Sequence, residues 1–132
     1  MPTTNDVLDN HLACFGRRDL DGILSDYAPD AVLFTQDGPL RGHDEIRPLF
    51  EALLEEFGKP GASFTLTQRF VDGDHAYIVW TAETADRAYE LGTDTFVVRD
   101  GRIAVQSFAC RTSIRGPKAP SLREAARAFA GA

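Results

Sequence analysis

After residue 61 the sequence is dominated by four long segments of strand-forming residues with very short connections between them. The segments read SFTLTQRFV, AYIVWTAETA, AYELGTDTFVV and RIAVQSFACRTS, and the connections read DGDH, DR and RDG. β-Branched and aromatic residues favour strands, and short polar connections of this kind favour hairpin turns. Consecutive strands joined by tight turns pair antiparallel, so this half of the chain predicts a four-stranded antiparallel meander.

The first sixty residues have a helical pattern instead. Apolar residues recur at helical spacing over residues 7–15 and 46–57, and a shorter helix is predicted over residues 19–27. Residues 31–35 predict a short strand, and the turn-forming residues 36–42 predict a loop.

Helices followed by a run of antiparallel strands indicate an α+β fold. The 132 residues suffice for one domain with a hydrophobic core, and we expect it to span residues 1–132. Its tail, residues 114–132, is predicted to be a loop or a short helix.

The net charge of −6 argues against nucleic acid or an anionic membrane surface as a partner. The polar, acidic N-terminus has no basic segment leading into an apolar run, and no apolar segment has the length of a membrane span. Two cysteines, Cys14 and Cys110, do not make a disulfide framework. We therefore expect a cytoplasmic protein with reduced thiols.

Apolar residues occupy both faces of the predicted strands, with Tyr77 and Val79 on one side and Ile78 and Trp80 on the other. An antiparallel sheet usually needs only one apolar face, which the helices can cover here. The second face predicts a homodimer that forms through the sheet.

Asp94 lies within a strand and on the same face as Phe96 and Val98, so its side chain is expected to point inward. A carboxylate in an apolar interior is costly unless it is paired, hydrogen-bonded or protonated. One interpretation is a structural acid bonded to backbone or to an arginine such as Arg87 or Arg111. The other is a pocket carboxyl with a raised pKa, acting as a proton donor or an acid/base group.

His11 lies on the apolar face of the first helix, where it is either a buried structural histidine or a catalytic group. Cys14 is one helical turn away, which allows a Cys–His nucleophile, although small buried packing is the commoner role of such a cysteine. The remaining histidines, His43 and His75, do not form a metal-binding pattern with these residues, so we expect no metal site.

The sequence resembles the nuclear transport factor 2-like superfamily, and most closely its ketosteroid isomerase and SnoaL-like polyketide cyclase groups. The resemblance rests on DLDGILSDYAPDAVLF, GPLRGHDEIRPLFEAL and TDTFVVRDGRIAVQSFACR and covers about residues 7–111. It implies a cone-shaped, curved antiparallel sheet wrapped around the N-terminal helices, that is, a cystatin-like α+β barrel. A ligand pocket at its wide end and dimers through the sheet are also implied.

The resemblance also implies roles for single residues. Asp94 corresponds to the ketosteroid isomerase aspartate that stays neutral in an apolar site and donates a hydrogen bond to the substrate oxyanion. His11 stands where that group has a tyrosine donor, and Thr35 stands where it has an aspartate base, with Asp37 two residues further on. The implied architecture turns His11 toward Asp94, which would let Asp94 fix the imidazole tautomer and His11 act as a general base or acid.

Several further residues are expected either in the core or in the wall of this pocket. An aromatic wall with one amide contact would suit an apolar, ring-shaped molecule. The residues concerned are Cys14, Phe34, Thr35, Phe50, Trp80, Phe96, Gln106, Phe108 and Cys110.

The resulting functional hypothesis is an isomerase, dehydratase or cyclase without a cofactor, acting on an apolar carbonyl compound through Asp94 and His11. The alternative is a non-catalytic ligand-binding or dimerisation module of the same fold, because folds of this kind host many functions.

Overall fold

The computed structural model describes residues 1–115 and 122–130. Its elements are α1 Thr4–Gly16, α2 Leu20–Ser25, β1 Tyr27–Thr35, β2 Gly38–Arg41, α3 Gly42–Phe57, β3 Ser63–Asp72, β4 His75–Glu83, β5 Arg87–Arg99, β6 Arg102–Ile114 and α4 Leu122–Ala130. None of the helices described has both the length and the apolar character needed to cross a membrane.

The strands form one six-stranded sheet in the order β2-β1-β6-β5-β4-β3. β3 to β6 make the predicted antiparallel meander, while β1 pairs parallel to β6 and antiparallel to β2. Register shifts interrupt the ladders of the meander, and irregularities of this kind bend strands. The predicted α+β fold with a curved sheet and N-terminal helices is confirmed, and the sheet stays open because β2 and β3 are its two edges.

Two elements differ from the sequence expectations. The first strand begins at Tyr27 rather than at Ala31, so it includes Pro29. The expected loop contains a short strand, β2, whose residues pair from Gly38 to Arg41 along the end of β1. Gly38 has a φ of 122°, which suits glycine and lets the chain reverse tightly after Thr35.

Helix α1 begins at a capping box in which the side chains of Thr3 and Asp6 satisfy each other's backbone N–H groups. Its buried face carries Val7, Leu8 and His11, as the helical spacing predicts. The helix thereby presents the His11 ring to the interior of the curved sheet.

The sheet has an inner face toward the helices and an outer face away from them. Residues alternate along β4, so that Ile78 and Trp80 are buried while Tyr77 is exposed. On the outer face Phe70 of β3 lies opposite Tyr77 and is 58% exposed. The homodimer that would cover this face stays a prediction.

Candidate functional site

A cavity of about 140 Å³ lies between the inner face of the sheet and helices α1 and α3. Its polar side chains are those of His11, Asp94 and Gln106. The rest of the wall is aromatic or aliphatic and consists, with Gly16, of Leu12, Phe15, Leu33, Leu49, Phe50, Leu53, Phe57, Phe64, Ile78, Trp80, Phe96 and Phe108.

Asp94 lies on the inner face of β5 and is 8% exposed. The indole Nε1–H of Trp80 donates to its Oδ2 at 2.7 Å, and the amide Nε2–H of Gln106 donates to its Oδ1 at 2.8 Å. The amide oxygen of Gln106 in turn accepts a hydrogen bond from the Tyr27 hydroxyl. These neutral side chains, rather than backbone or an arginine, are the hydrogen-bond partners of the carboxyl.

Burial raises the pKa of Asp94, because an ionised carboxylate loses its hydration inside the protein. The hydrogen bonds from Trp80 and Gln106 act in the opposite direction, as does a positive charge on His11. The effect of burial is the larger, so the pKa of Asp94 lies above its usual value of 3.8. This is the direction expected for a pocket carboxyl.

Gly92 gives the Trp80 indole its position. The two residues are opposite each other on β5 and β4, and the indole lies directly over the glycine. A Cβ atom at Gly92 would come within 2.2 Å of Trp80 Cε2, which no real contact allows. The missing side chain therefore lets the indole lie flat and reach Asp94.

His11 is 5% exposed and is enclosed by three aromatic rings. Tyr27, Phe50 and Phe96 meet the imidazole edge to face, with centroid distances of 5.6, 5.8 and 5.7 Å. Its Nδ1 atom lies 3.7 Å from Oδ2 of Asp26.

The expected arrangement in which Asp94 fixes the tautomer of His11 is therefore not the one observed. Both residues line the same cavity, but the carboxylate beside Nδ1 belongs to Asp26. The hydrogen bonds of Asp94 go to Trp80 and Gln106 instead.

Five of the other expected wall residues line the cavity, and four do not. Those in the wall are Phe50, Trp80, Phe96, Gln106 and Phe108.

Phe34, Thr35, Cys14 and Cys110 lie elsewhere. Leu33 takes the inward position on β1, so the next residue, Phe34, is half-exposed on the opposite face. The Thr35 hydroxyl donates to the Gly38 carbonyl at 2.9 Å. Cys14 is buried in the core beside α2, and Cys110 belongs to a different cavity.

That second cavity has a volume of about 440 Å³ and lies among the β1–β2 turn, α3 and α4. Thr35, Asp37 and Cys110 line it, while Leu49 and Phe108 separate it from the first cavity by lining both. Asp37 is exposed there, and its carboxylate lies 3.8 Å from Arg123. It does not turn toward the cavity of Asp94, so it is not placed to act as the base that the resemblance would put at Thr35.

Both cysteines are free thiols. Burial raises the pKa of Cys110 to about 11 and also raises the pKa of Cys14. A raised pKa keeps a thiol protonated and therefore a poor nucleophile at neutral pH. The Cys–His interpretation of Cys14 and His11 loses its chemical basis.

Sequence reasoning missed three polar residues beside the cavity: Asn10, Asp26 and Tyr27. Asn10 donates from Nδ2 to Oδ1 of Asp26 at 2.7 Å, so the two hold a carboxylate against His11. Asp26 and Tyr27 are adjacent in DYAPDA and extend the polar networks of His11 and Gln106, but no local sequence pattern marks them for this role.

A second buried polar cluster, around Glu56, was missed as well. Its Oε2 accepts hydrogen bonds from Thr84 and Tyr89 at 2.8 and 2.7 Å, and its Oε1 lies 3.1 Å from Nε of Arg87. The cluster fastens the end of α3 to the β4–β5 turn, away from the cavity wall.

No group of three or more His, Cys, Asp or Glu side chains within residues 1–115 and 122–130 is arranged to hold a metal ion.

Comparison with protein families matches residues 8–106 to the SnoaL-like domain. A comparison with curated proteins finds no match. Among solved structures, a candidate ketosteroid isomerase from Kribbella flavida DSM 17836 has a TM-score of 0.68 at 15% identity, covering 92% of this chain and 85% of its own. A candidate polyketide cyclase from Sinorhizobium meliloti has a TM-score of 0.64 at 21% identity, covering 78% of this chain and 93% of its own.

The protein TerC, co-crystallised with polyporic acid, has a TM-score of 0.66 at 20% identity, covering 82% of this chain and 91% of its own. At these identities the likeness to solved structures establishes the fold. Together the matches confirm the resemblance identified in the sequence.

Proposed function

The chain belongs to the SnoaL-like domain family, and we propose that it is an enzyme that moves a proton on a small, apolar, ring-shaped carbonyl compound. The reaction would be an isomerisation, a dehydration or a cyclisation. The observation that carries this proposal is the placement of His11 and Asp94 in one cavity whose wall is otherwise apolar except for Gln106. Two titratable groups in a small apolar cavity are a typical acid–base arrangement.

The size of the cavity supports a single ring. Its volume of about 140 Å³ is close to that of the engineered cavity of about 150 Å³ that binds benzene. A four-ring steroid needs much more space, so steroid isomerisation itself is not the reaction that we propose. Aromatic walls such as Phe50, Phe96 and Phe108 would contact the faces and edges of one ring.

The chemistry assigns different tasks to the two groups. His11 would take a proton from the carbon next to the carbonyl, forming an imidazolium and an enolate. Asp94, which burial keeps protonated to a higher pH than usual, would donate a hydrogen bond to the enolate oxygen. Return of the proton to a different carbon would complete an isomerisation, and because only a proton moves, no cofactor is required.

A non-catalytic binding module of the same fold is the second candidate. It is favoured by Thr35, which stands where ketosteroid isomerases have their base, and by Asp37, which points to the second cavity. A bound molecule would then use the same wall and the same hydrogen-bonding groups without being converted.

The direct test uses 3-cyclohexen-1-one, a single-ring β,γ-unsaturated ketone. Its isomerisation to the conjugated 2-cyclohexen-1-one is followed by ultraviolet absorbance, and phenol, a single-ring mimic of an enolate, measures binding. His11→Gln and Asp94→Asn are compared with the wild type and with His75→Gln, a control at an exposed histidine.

We expect turnover above the buffer rate that His11→Gln lowers by roughly 10²–10⁴-fold, the usual contribution of a general base. His75→Gln should leave the rate unchanged. Phenol binding that depends on Asp94, without any turnover, would favour the binding module. If neither binding nor turnover occurs, both candidate functions at this cavity are refuted.

A further inference from the structure

Asp26 is a buried carboxyl with one oxygen held in place and the other without a hydrogen bond. It follows α2 directly and precedes β1, where its backbone carbonyl accepts a hydrogen bond from Ile103 N–H. Asn10 holds Oδ1 at 2.7 Å. Oδ2 is buried and accepts no hydrogen bond.

The matching unsatisfied atom is Nδ1 of His11. It too is buried without a hydrogen bond, and it lies 3.7 Å from Oδ2 of Asp26. A proton on Nδ1 would satisfy both atoms if the pair closed by under about 1 Å to ordinary hydrogen-bond length. Catalytic hydrogen bonds are often long in unliganded proteins and shorten when a ligand binds.

The surroundings of the His11 ring keep Nδ1 on the side that faces Asp26. Tyr27, Phe50 and Phe96 meet the imidazole edge to face and restrict its rotation. Because His11 also lines the cavity, Nε2 is the nitrogen left for a bound molecule.

We propose that Asp26 is the positioning residue for His11, holding the proton on Nδ1 so that Nε2 is unprotonated and able to accept a proton in the cavity. Asn10 orients the carboxylate for this task. Asp94 is not the positioning residue, because Trp80 and Gln106 already donate to its two oxygens.

The catalytic role of Asp26 rests on the proposed function, whereas its effect on the tautomer of His11 does not. When Nε2 takes a proton from carbon, the electron pair of the C–H bond passes into the enolate and the imidazolium is left beside the Asp26 carboxylate. The same proton then returns from Nε2 to a different carbon. The Asp26 carboxylate thus stabilises the positive charge at the moment it forms.

The test is ¹⁵N–¹H NMR of the full-length protein labelled with ¹⁵N-histidine, recorded at an alkaline pH where the neutral rings are observed. The chain has three histidines, so spectra of His43→Gln and His75→Gln identify the signals of His11. We expect wild-type His11 to be the Nδ1–H tautomer. In Asp26→Asn the new side-chain oxygen would accept the hydrogen bond from Asn10, so the new amide N–H₂ would face Nδ1 of His11. A donor in this place favours an unprotonated Nδ1, and the population should therefore shift toward the Nε2–H tautomer. Asp94→Asn is the matched control and should leave the tautomer unchanged.

An Nε2–H tautomer in the wild type would overturn the proposal without any variant. An unchanged Nδ1–H tautomer in a folded Asp26→Asn protein would also overturn it. If the tautomer shifts and 3-cyclohexen-1-one turnover falls at least about 100-fold in kcat, the positioning role and the proposed function both stand. If the tautomer shifts but the wild type converts nothing, the positioning role stands and the proposed function fails.

Discussion

Replacing Asp94 by Asn separates the effect of burial on this carboxyl from that of its hydrogen bonds. Burial raises the pKa of Asp94 in the folded protein above the unfolded value of 3.8. Between these two pKa values the folded state binds more protons than the unfolded state. The contribution of Asp94 to the free energy of unfolding is therefore fully present below the unfolded pKa and is lost as pH rises through the folded pKa.

The free energy of unfolding falls by at most about 1.4 kcal/mol per pH unit, which is the limit for one titrating group. Asp94→Asn has no such slope, because the amide does not titrate. The substitution also lowers the free energy of unfolding by an amount that does not depend on pH. Its carbonyl can still accept from Trp80, but its amide N–H₂ faces Gln106, whose side chain must turn and leave the Tyr27 hydroxyl without its acceptor. One neutral hydrogen bond of this kind contributes about 1 kcal/mol.

Urea denaturation of the wild type and Asp94→Asn between about pH 4 and pH 8, at fixed ionic strength, measures the difference. The wild type should be the more stable at the acidic end, and its advantage should shrink as pH rises. Asp30→Asn, at an exposed position of β1, is the control and should show no comparable trend. A wild-type advantage that grows with pH would mean that the hydrogen bonds outweigh burial and that the pKa of Asp94 is lowered in the folded protein.

Three more changes test other parts of the structure. Gly92→Ala should displace the indole of Trp80, lower stability by about 1–3 kcal/mol and shift the fluorescence of this single tryptophan. Glu56→Gln removes the buried negative charge 3.1 Å from Arg87 and should lower the free energy of unfolding in urea by about 3–5 kcal/mol. Tyr77→Glu places a charge on the exposed outer face, so light scattering should show the predicted dimer for the wild type and a monomer for the variant.

Each of these changes has a control or a contradicting result. Gly16→Ala adds a methyl group that has no atom within 4 Å apart from its chain neighbours and the backbone of its own helix, and it should leave the fluorescence as it is. Glu55→Gln neutralises the exposed neighbour of the buried glutamate and should change stability by less than about 0.5 kcal/mol. A wild type that is monomeric at high concentration would contradict the dimer, whatever the behaviour of the variant.

The meander could be read from the sequence because its signals are local. Alternation along β3 to β6 and three short connections specify both the strands and their neighbours. β2 could not be read in this way, because Gly38 and Pro39 favour turns and only pairing with β1 makes the segment a strand. The parallel pairing of β1 with β6 joins residues far apart in the chain, for which a single sequence carries no local pattern.

In the candidate site, too, some residues are marked by local sequence signals and others are brought in only by the packing of distant elements. Asp94 is conspicuous because it interrupts an apolar strand, and strand alternation predicts that it points inward. Asp26 follows a short helix, where acidic and polar residues are common, so nothing local marks it as buried. Only the packing of α1 against α2, which ends at Asp26, brings it to His11. Phe34 was expected in the core or in the pocket wall with the other aromatic residues, whereas alternation from the inward Leu33 turns it outward.

The charge on His11 affects the pKa of Asp94 although no hydrogen bond joins the two residues. A positive charge on His11 lowers the pKa of Asp94, because it stabilises the ionised carboxylate. In the proposed isomerisation the positive charge appears on His11 when negative charge appears on the carbonyl oxygen. Burial raises the pKa of Asp94 before the step, and the positive charge on His11 would lower that pKa during it, when Asp94 shares its proton with the oxygen. Two separate carboxyls make this possible, because the group that positions His11 has to be an ionised carboxylate while the group that faces the oxygen has to hold a proton.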